Sequence, residues 1–171
     1  MKTIEIKLYK FEELSEEAKQ KAVENCNYIN VDDDWNYFTC EDAANIGLTI
    51  TGFALDRNRH ATGEFLYSAT EVAANILKEH GKDCETYKTA ESFLEKHNPI
   101  FAKYMDENSE HYESYDKEQE LMEMEDDFLN ELLEDYSIML QSEYEYLQSE
   151  EFIIKTIELN DYDFTEDGEM Y

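Results

Sequence analysis

From Asp116 to about Gln148, apolar side chains return every three or four residues: Leu121, Met124, Phe128, Leu132, Tyr136, Leu140, Tyr144 and Leu147. That period marks one face of an α-helix. No glycine or proline interrupts it, so the spacing predicts a single helix of about nine turns. The same helix is strongly acidic. Glu118–Tyr136 reads EQELMEMEDDFLNELLEDY, with nine carboxylates and no lysine or arginine.

At about 100° per residue, Glu120, Glu123, Asp127, Glu131 and Glu134 fall in an arc of roughly 80° beside the apolar stripe. Glu123, Asp127, Glu131 and Asp135 form a continuous i,i+4 row of like charge, which costs on the order of 1 kcal/mol. A helix selected for stability would place lysines here, yet no basic residue occurs between Lys117 and Lys155. Residues 104–151 hold 18 acids and one base, whereas the other 123 residues hold 25 acids and 13 bases. The five acids of the arc span about 21 Å, one per roughly 5 Å. A DNA strand offers a phosphate every ~3.4 Å. Asp126, Asp135, Glu143 and Glu145 thicken the row. Two readings follow: a solvated helix face, or a surface that imitates a nucleic acid toward a basic partner.

The chain's net charge of −29 argues against direct nucleic-acid binding, which needs a basic footprint, and against docking on anionic lipid. It favours a basic partner, steered electrostatically and weakened by salt. Leu, Ile, Val and Phe make up 37 of the 171 residues, a low share for a highly charged chain. The 23 aromatics restore enough burial for folding. Cys26, Cys40 and Cys84 form no close pair, consistent with free thiols in a reducing cytosol. MKTIEIKLYK alternates where a secretion signal would be apolar, and no apolar stretch reaches membrane-spanning length. The expectation is a soluble cytoplasmic protein.

Elsewhere the pattern predicts a single α+β domain, 1–171, in which helices cover a small antiparallel sheet of about four strands. Thr3–Tyr9 alternates as a strand. Ser15 caps a helix bearing Ala18, Ala22, Cys26 and Ile29, and a second helix runs from about Asp33 to Gly47. Residues 48–56 and 62–68 read as a hairpin with a bulge at Gly52. Ser68 and Glu71 form a capping box for a helix ending at Gly81. A helix over about 84–97 should break at Asn98-Pro99, with a short one beyond. After the acidic helix, Ser149 caps a last helix, and Tyr162–Thr165 should return to the N-terminal sheet before an Asp-Gly turn.

The chain offers little catalytic chemistry. Asp163, Thr165, Asp167 and Gly168 match half a calcium loop, but the twelfth-position glutamate is missing; the turn explains the same residues. Asp32, Asp33 and Asp34 suit a helix N-terminus better than a cation. His80, Cys84 and His97 lack the spacing of a zinc site. No nucleophile elbow or phosphate loop occurs. We therefore expect no enzyme, no cofactor and no metal. Both arginines, Arg57 and Arg59, lie at the hairpin tip. They either neutralise nearby acid or contact a partner's carboxylate or phosphate.

Three blocks carry a resemblance: FEELSEEAKQKAVEN, DDDWNYFTCEDAANIGLTITGFALDR and EYEYLQSEEFIIKTIELNDYDFTEDG. Together they resemble a family of small acidic proteins of bacteriophage and prophage genomes, mostly uncharacterised, some described as toxin–antitoxin-related. The resemblance implies action in the cytoplasm of an infected or lysogenic bacterial host. It suggests an inhibitor of the anti-CRISPR or anti-restriction type, a DNA mimic that occludes the groove of a nucleic-acid-binding defence protein. An antitoxin-like protein that neutralises a basic toxin by direct binding is the alternative. The partner-binding residues expected are Glu120, Glu123, Asp126, Asp127, Glu131, Glu134 and Asp135, with Arg57 and Arg59 as a secondary contact.

Overall fold

The computed structural model describes residues 5–171. In chain order its strands and α-helices are β1 (Tyr9–Lys10), α1 (Glu16–Asn25), α2 (Tyr37–Ile46), β2 (Leu48–Ala54), β3 (His60–Phe65), α3 (Ala69–Glu79), α4 (Glu85–Tyr104), α5 (Tyr115–Leu147), α6 (Glu150–Leu159) and β4 (Asp163–Phe164), with a short 3-10 turn at Phe11–Glu13. The class is α+β with helix dominant, and the long helix near the C-terminus is present as α5. The described residues group into two compact units. One runs to Asn36 and resumes at Ser142–Tyr171; the other is Tyr37–Gln141.

The sheet departs from expectation. In place of one sheet of about four strands, the described residues form two antiparallel pairs, β1–β4 and β2–β3. The predicted strand at 3–9 contributes only its last residue to β1; Glu5–Leu8 join no ladder, and residues 3–4 lie outside the described residues. Alternation reports which face of a strand is apolar, not which strand lies beside it. Here each pair is absorbed by a different hydrophobic cluster.

In the first unit, Ser15 Oγ accepts the Ala18 N–H and opens α1, with Glu16 and Glu17 in its first turn. Serine and acids suit a helix N-terminus because unpaired N–H groups and the positive dipole end lie there. Ser149 caps α6 in the same way. Ala18, Ala22 and Cys26 then pack with Ile153, Ile157, Phe11 and Phe164, the two phenylalanine rings meeting edge-on at 6.0 Å. β4 returns to β1 as expected, and Lys10 ties it down at 2.8 Å from Asp163. The Asp-Gly turn follows: Gly168 adopts φ +83°, and a Cβ there would stand 2.2 Å from the Ala18 carbonyl oxygen. Only glycine fits that close approach of tail to helix.

In the second unit, β2 and β3 pair with the register shift between Ile50 and Gly52 that the sequence suggested. Ser68 and Glu71 exchange both bonds of the capping box above α3, which buries Ala69, Val72, Ala73 and Ile76. Phe128 of α5 stacks on Phe93 of α4 at 4.2 Å and meets Phe65 of β3 at 5.6 Å. Three helix boundaries differ from the sequence reading. α1 ends at Asn25, so Ile29 lies in the turns beyond it. α2 starts at Tyr37, not Asp33, because Asp32 Oδ1 accepts the Asp34 N–H at 3.1 Å and the chain turns there. α4 continues through Pro99 to Tyr104. Proline leaves the carbonyl four residues earlier without a donor, but Glu95 and Pro99 are both exposed, so water can serve that carbonyl.

Candidate functional site

The acids of α5 divide into engaged and free groups. At about 100° per residue the buried residues Leu121, Phe128, Leu132, Leu133, Tyr136, Ser137 and Leu140 cover roughly 180° of the helix, and the acidic arc lies on the other side. Within that arc Glu120 pairs with Lys117. Glu134 takes the Arg59 guanidinium, and its carbonyl accepts the Ser137 hydroxyl at 2.8 Å. Arg59 thus links the hairpin loop to α5, and one of the two arginines has a structural partner. Arg57 is exposed.

Glu123, Asp126, Asp127 and Glu131 are exposed and make no ion pair among the described residues. Lys96 shares a shallow recess of about 90 Å³ with Asp127 and Glu131, without closing to ion-pair distance of either. Asp135, at the edge of the arc, is half-buried and accepts the Thr89 hydroxyl at 3.0 Å. Burial pushes its carboxyl above the usual range, and the charges of Glu85, Glu131 and Glu134 add to this while the Thr89 bond opposes it. Glu143 and Glu145 belong to the other compact unit.

Asp135 also lines a cavity of about 500 Å³ together with Asp42, Glu79, His80, Gly81, Cys84, Glu85, Thr86, Ile138 and Met139. Four elements meet here: α2, the end of α3, the start of α4, and α5. His80 follows α3 with an extended backbone, ψ 150°. Its Nδ1 lies 2.7 Å from Thr86 Oγ1, and its Nε2 stands 3.5 Å from Asp42 Oδ2. The Tyr136 hydroxyl donates to the same carboxylate oxygen at 2.7 Å. The facing His80 imidazole first, and the Tyr136 hydroxyl second, hold the Asp42 carboxyl below its usual range against the cost of its burial. Burial and the Asp42 charge push the Tyr136 phenol far up, so it stays protonated and donates.

Sequence spacing could not gather this cluster, since Asp42 and Tyr136 are 94 positions apart. The one signal in the sequence is His80 beside Gly81 and Cys84, whose spacing does not suit zinc. No three His, Cys, Asp or Glu residues converge as metal ligands among the described residues. The carboxylates of the half calcium loop have other work: Asp167 sits 3.0 Å from Lys21, and Asp163 binds Lys10. No helix among the described residues is long and apolar enough to cross a membrane. Compared with family models, curated proteins and solved structures, the chain matches none of them.

Proposed function

We propose that this chain is a non-catalytic binding protein whose acidic α5 face occupies the basic groove of a nucleic-acid-binding protein, excluding the nucleic acid by imitating its charge. The observation that carries this reading is the row Glu123, Asp127 and Glu131, flanked by Asp126, exposed on one helix and without an ion-pair partner among the described residues. Like charges at i,i+4 destabilise a helix by about 0.2–0.5 kcal/mol per contact. A row that makes no ion pair among the described residues is relieved of this repulsion when an external cation arrives. The resemblance to bacteriophage and prophage proteins makes a host-defence effector of the anti-CRISPR or anti-restriction target class the fitting partner, met in the bacterial cytoplasm.

The test is affinity capture from a bacterial lysate with the full chain as bait, followed by mass spectrometry and competition with duplex and single-stranded nucleic acid. The proposal expects a basic nucleic-acid-binding protein whose capture falls as salt or nucleic acid is added. Capture of a small toxin that nucleic acid does not displace would favour the antitoxin-like reading instead. Capture unaffected by salt would overturn both.

A further inference from the structure

We propose that the cavity between α2, α3, α4 and α5 is a receptor for an aliphatic organic cation, with an arginine or lysine side chain of the basic partner as its source. Four of its lining residues are carboxylates: Glu79 and Glu85 pair with Lys78 and Lys88 outside the lining, whereas Asp42 and Asp135 pair with no lysine or arginine among the described residues. The remaining wall includes Ile138 and Met139, which are 43% and 38% exposed and give an apolar surface for a hydrocarbon stem. At about 500 Å³ the space is far larger than a metal ion needs and falls within the roughly 300–1,000 Å³ of small-ligand sites.

A second observation points to a ligand independently of the carboxylates. The His80 side chain is only 10% exposed and lines the cavity, yet its buried Nε2 has no hydrogen-bond partner. Asp42 Oδ2, 3.5 Å away, is too distant for an effective bond; it accepts the Tyr136 hydroxyl at 2.7 Å. Buried polar atoms of native proteins are nearly always satisfied, and an exception calls for an explanation. A cation drawn between Asp42 and Asp135 would bring a lysine or arginine charge to two carboxylates that have none beside them among the described residues. With Nδ1–H donating to Thr86 Oγ1, the His80 Nε2 lone pair is open to an N–H of that cation.

Asp135 strengthens the case, because its carboxyl is partly desolvated and surrounded by like charge. An incoming cation relieves that penalty at the point where it is largest. Glu131 and Glu134, whose charges act on Asp135, belong to the acidic arc. The arc would thus guide a basic partner whose side chain the cavity then holds. This inference rests on the reading of a basic partner, but its test needs no partner.

The full chain, labelled with ¹⁵N, is titrated with n-butylguanidinium and n-butylammonium, with n-butanol as the neutral control. Saturable one-site shifts are expected at the amides of His80, Gly81, Thr86 and Met139 for the cations and not for the alcohol. A stronger response to one cation than the other identifies arginine or lysine as the source. Asp135→Asn, which keeps the Thr89 bond, should weaken binding about tenfold, as loss of one charge-assisted contact predicts. Asp42→Asn should do the same, with thermal melting confirming that each variant is folded. Equal shifts with n-butanol, shifts confined to Glu123–Glu131, or no shifts would overturn the proposal. Probe binding without capture of any basic protein would sink the partner reading and leave the cavity standing. Capture of a basic protein without probe binding would sink the cavity alone.

Discussion

Tyr136 of α5 donates its hydroxyl proton to Asp42 Oδ2 of α2 across 2.7 Å, from a ring that is wholly buried. The bond satisfies a phenol placed in the core and fixes one oxygen of a carboxylate that opens onto the cavity. A buried tyrosine almost always requires such a partner, and Asp42 is the residue that allows tyrosine at this apolar position.

Tyr136→Phe should therefore destabilise the protein although the ring and its packing remain. Hydrogen bonds to charged groups contribute about 1.5–3 kcal/mol, and the lower end applies because the Asp42 side chain is 44% exposed. Urea denaturation would read this as a lower midpoint at constant slope. An unchanged midpoint would mean that water replaces the phenol without loss.

Asp42 and Asp135 make opposite contributions to the pH dependence of stability. The folded protein lowers the Asp42 pKa, so its contribution is present above the unfolded value of about 3.9 and is lost as pH falls through the lower folded value. The Asp135 pKa is raised, so stability declines as pH rises from the unfolded value through the folded one. Asp135→Asn should accordingly be more stable than wild type at pH 7, with the difference shrinking as pH approaches 4. Melting temperatures across that range check the sign, and a gain that grows on acidification would refute it.

What could be read from the sequence was local. The Ser15, Ser68 and Ser149 caps, the bulge at Gly52 and the length of α5 depend on residues within a turn or two of one another, and their chemistry is visible in the string. Pro99 misled because whether a proline ends a helix depends on whether the deprived carbonyl can reach water, which is a matter of burial. The single sheet failed because alternation cannot name a strand's neighbour. The acidic face was legible as a pattern. That Glu134 is engaged by Arg59 was not, nor that Asp42, His80 and Tyr136 meet, since those contacts exist only after folding.

Gly168→Ala tests the docking of the tail. A left-handed backbone costs an alanine about 1–2 kcal/mol, and its Cβ would press on the Ala18 carbonyl oxygen at 2.2 Å. The tail must shift, loosening the Lys21–Asp167 pair and the β1–β4 ladder. Removing residues 161–171 should cost more, because it exposes the cluster around Phe164. Thermal melting of both forms provides the check. A full-length melt in either would show that the tail contributes nothing to the fold.

The last prediction decides whether the acidic face serves a partner. Glu120 and Glu134 hold Lys117 and Arg59, so the informative variant spares them and carries Glu123→Gln, Asp126→Asn, Asp127→Asn and Glu131→Gln. Each replacement nearly matches its parent in helix propensity. Removing the like-charge contacts along Glu123, Asp127, Glu131 and Asp135 should raise stability, by on the order of 1 kcal/mol. Partner binding should move the other way. Association should slow by roughly tenfold or more at low salt, since steering acts on the encounter, and the salt dependence of affinity should become shallower. Stopped-flow association at several salt concentrations separates the two effects. Higher stability with unchanged association would make the row an ordinary solvated face. Slower association without competition from nucleic acid would leave a basic partner but remove the imitation.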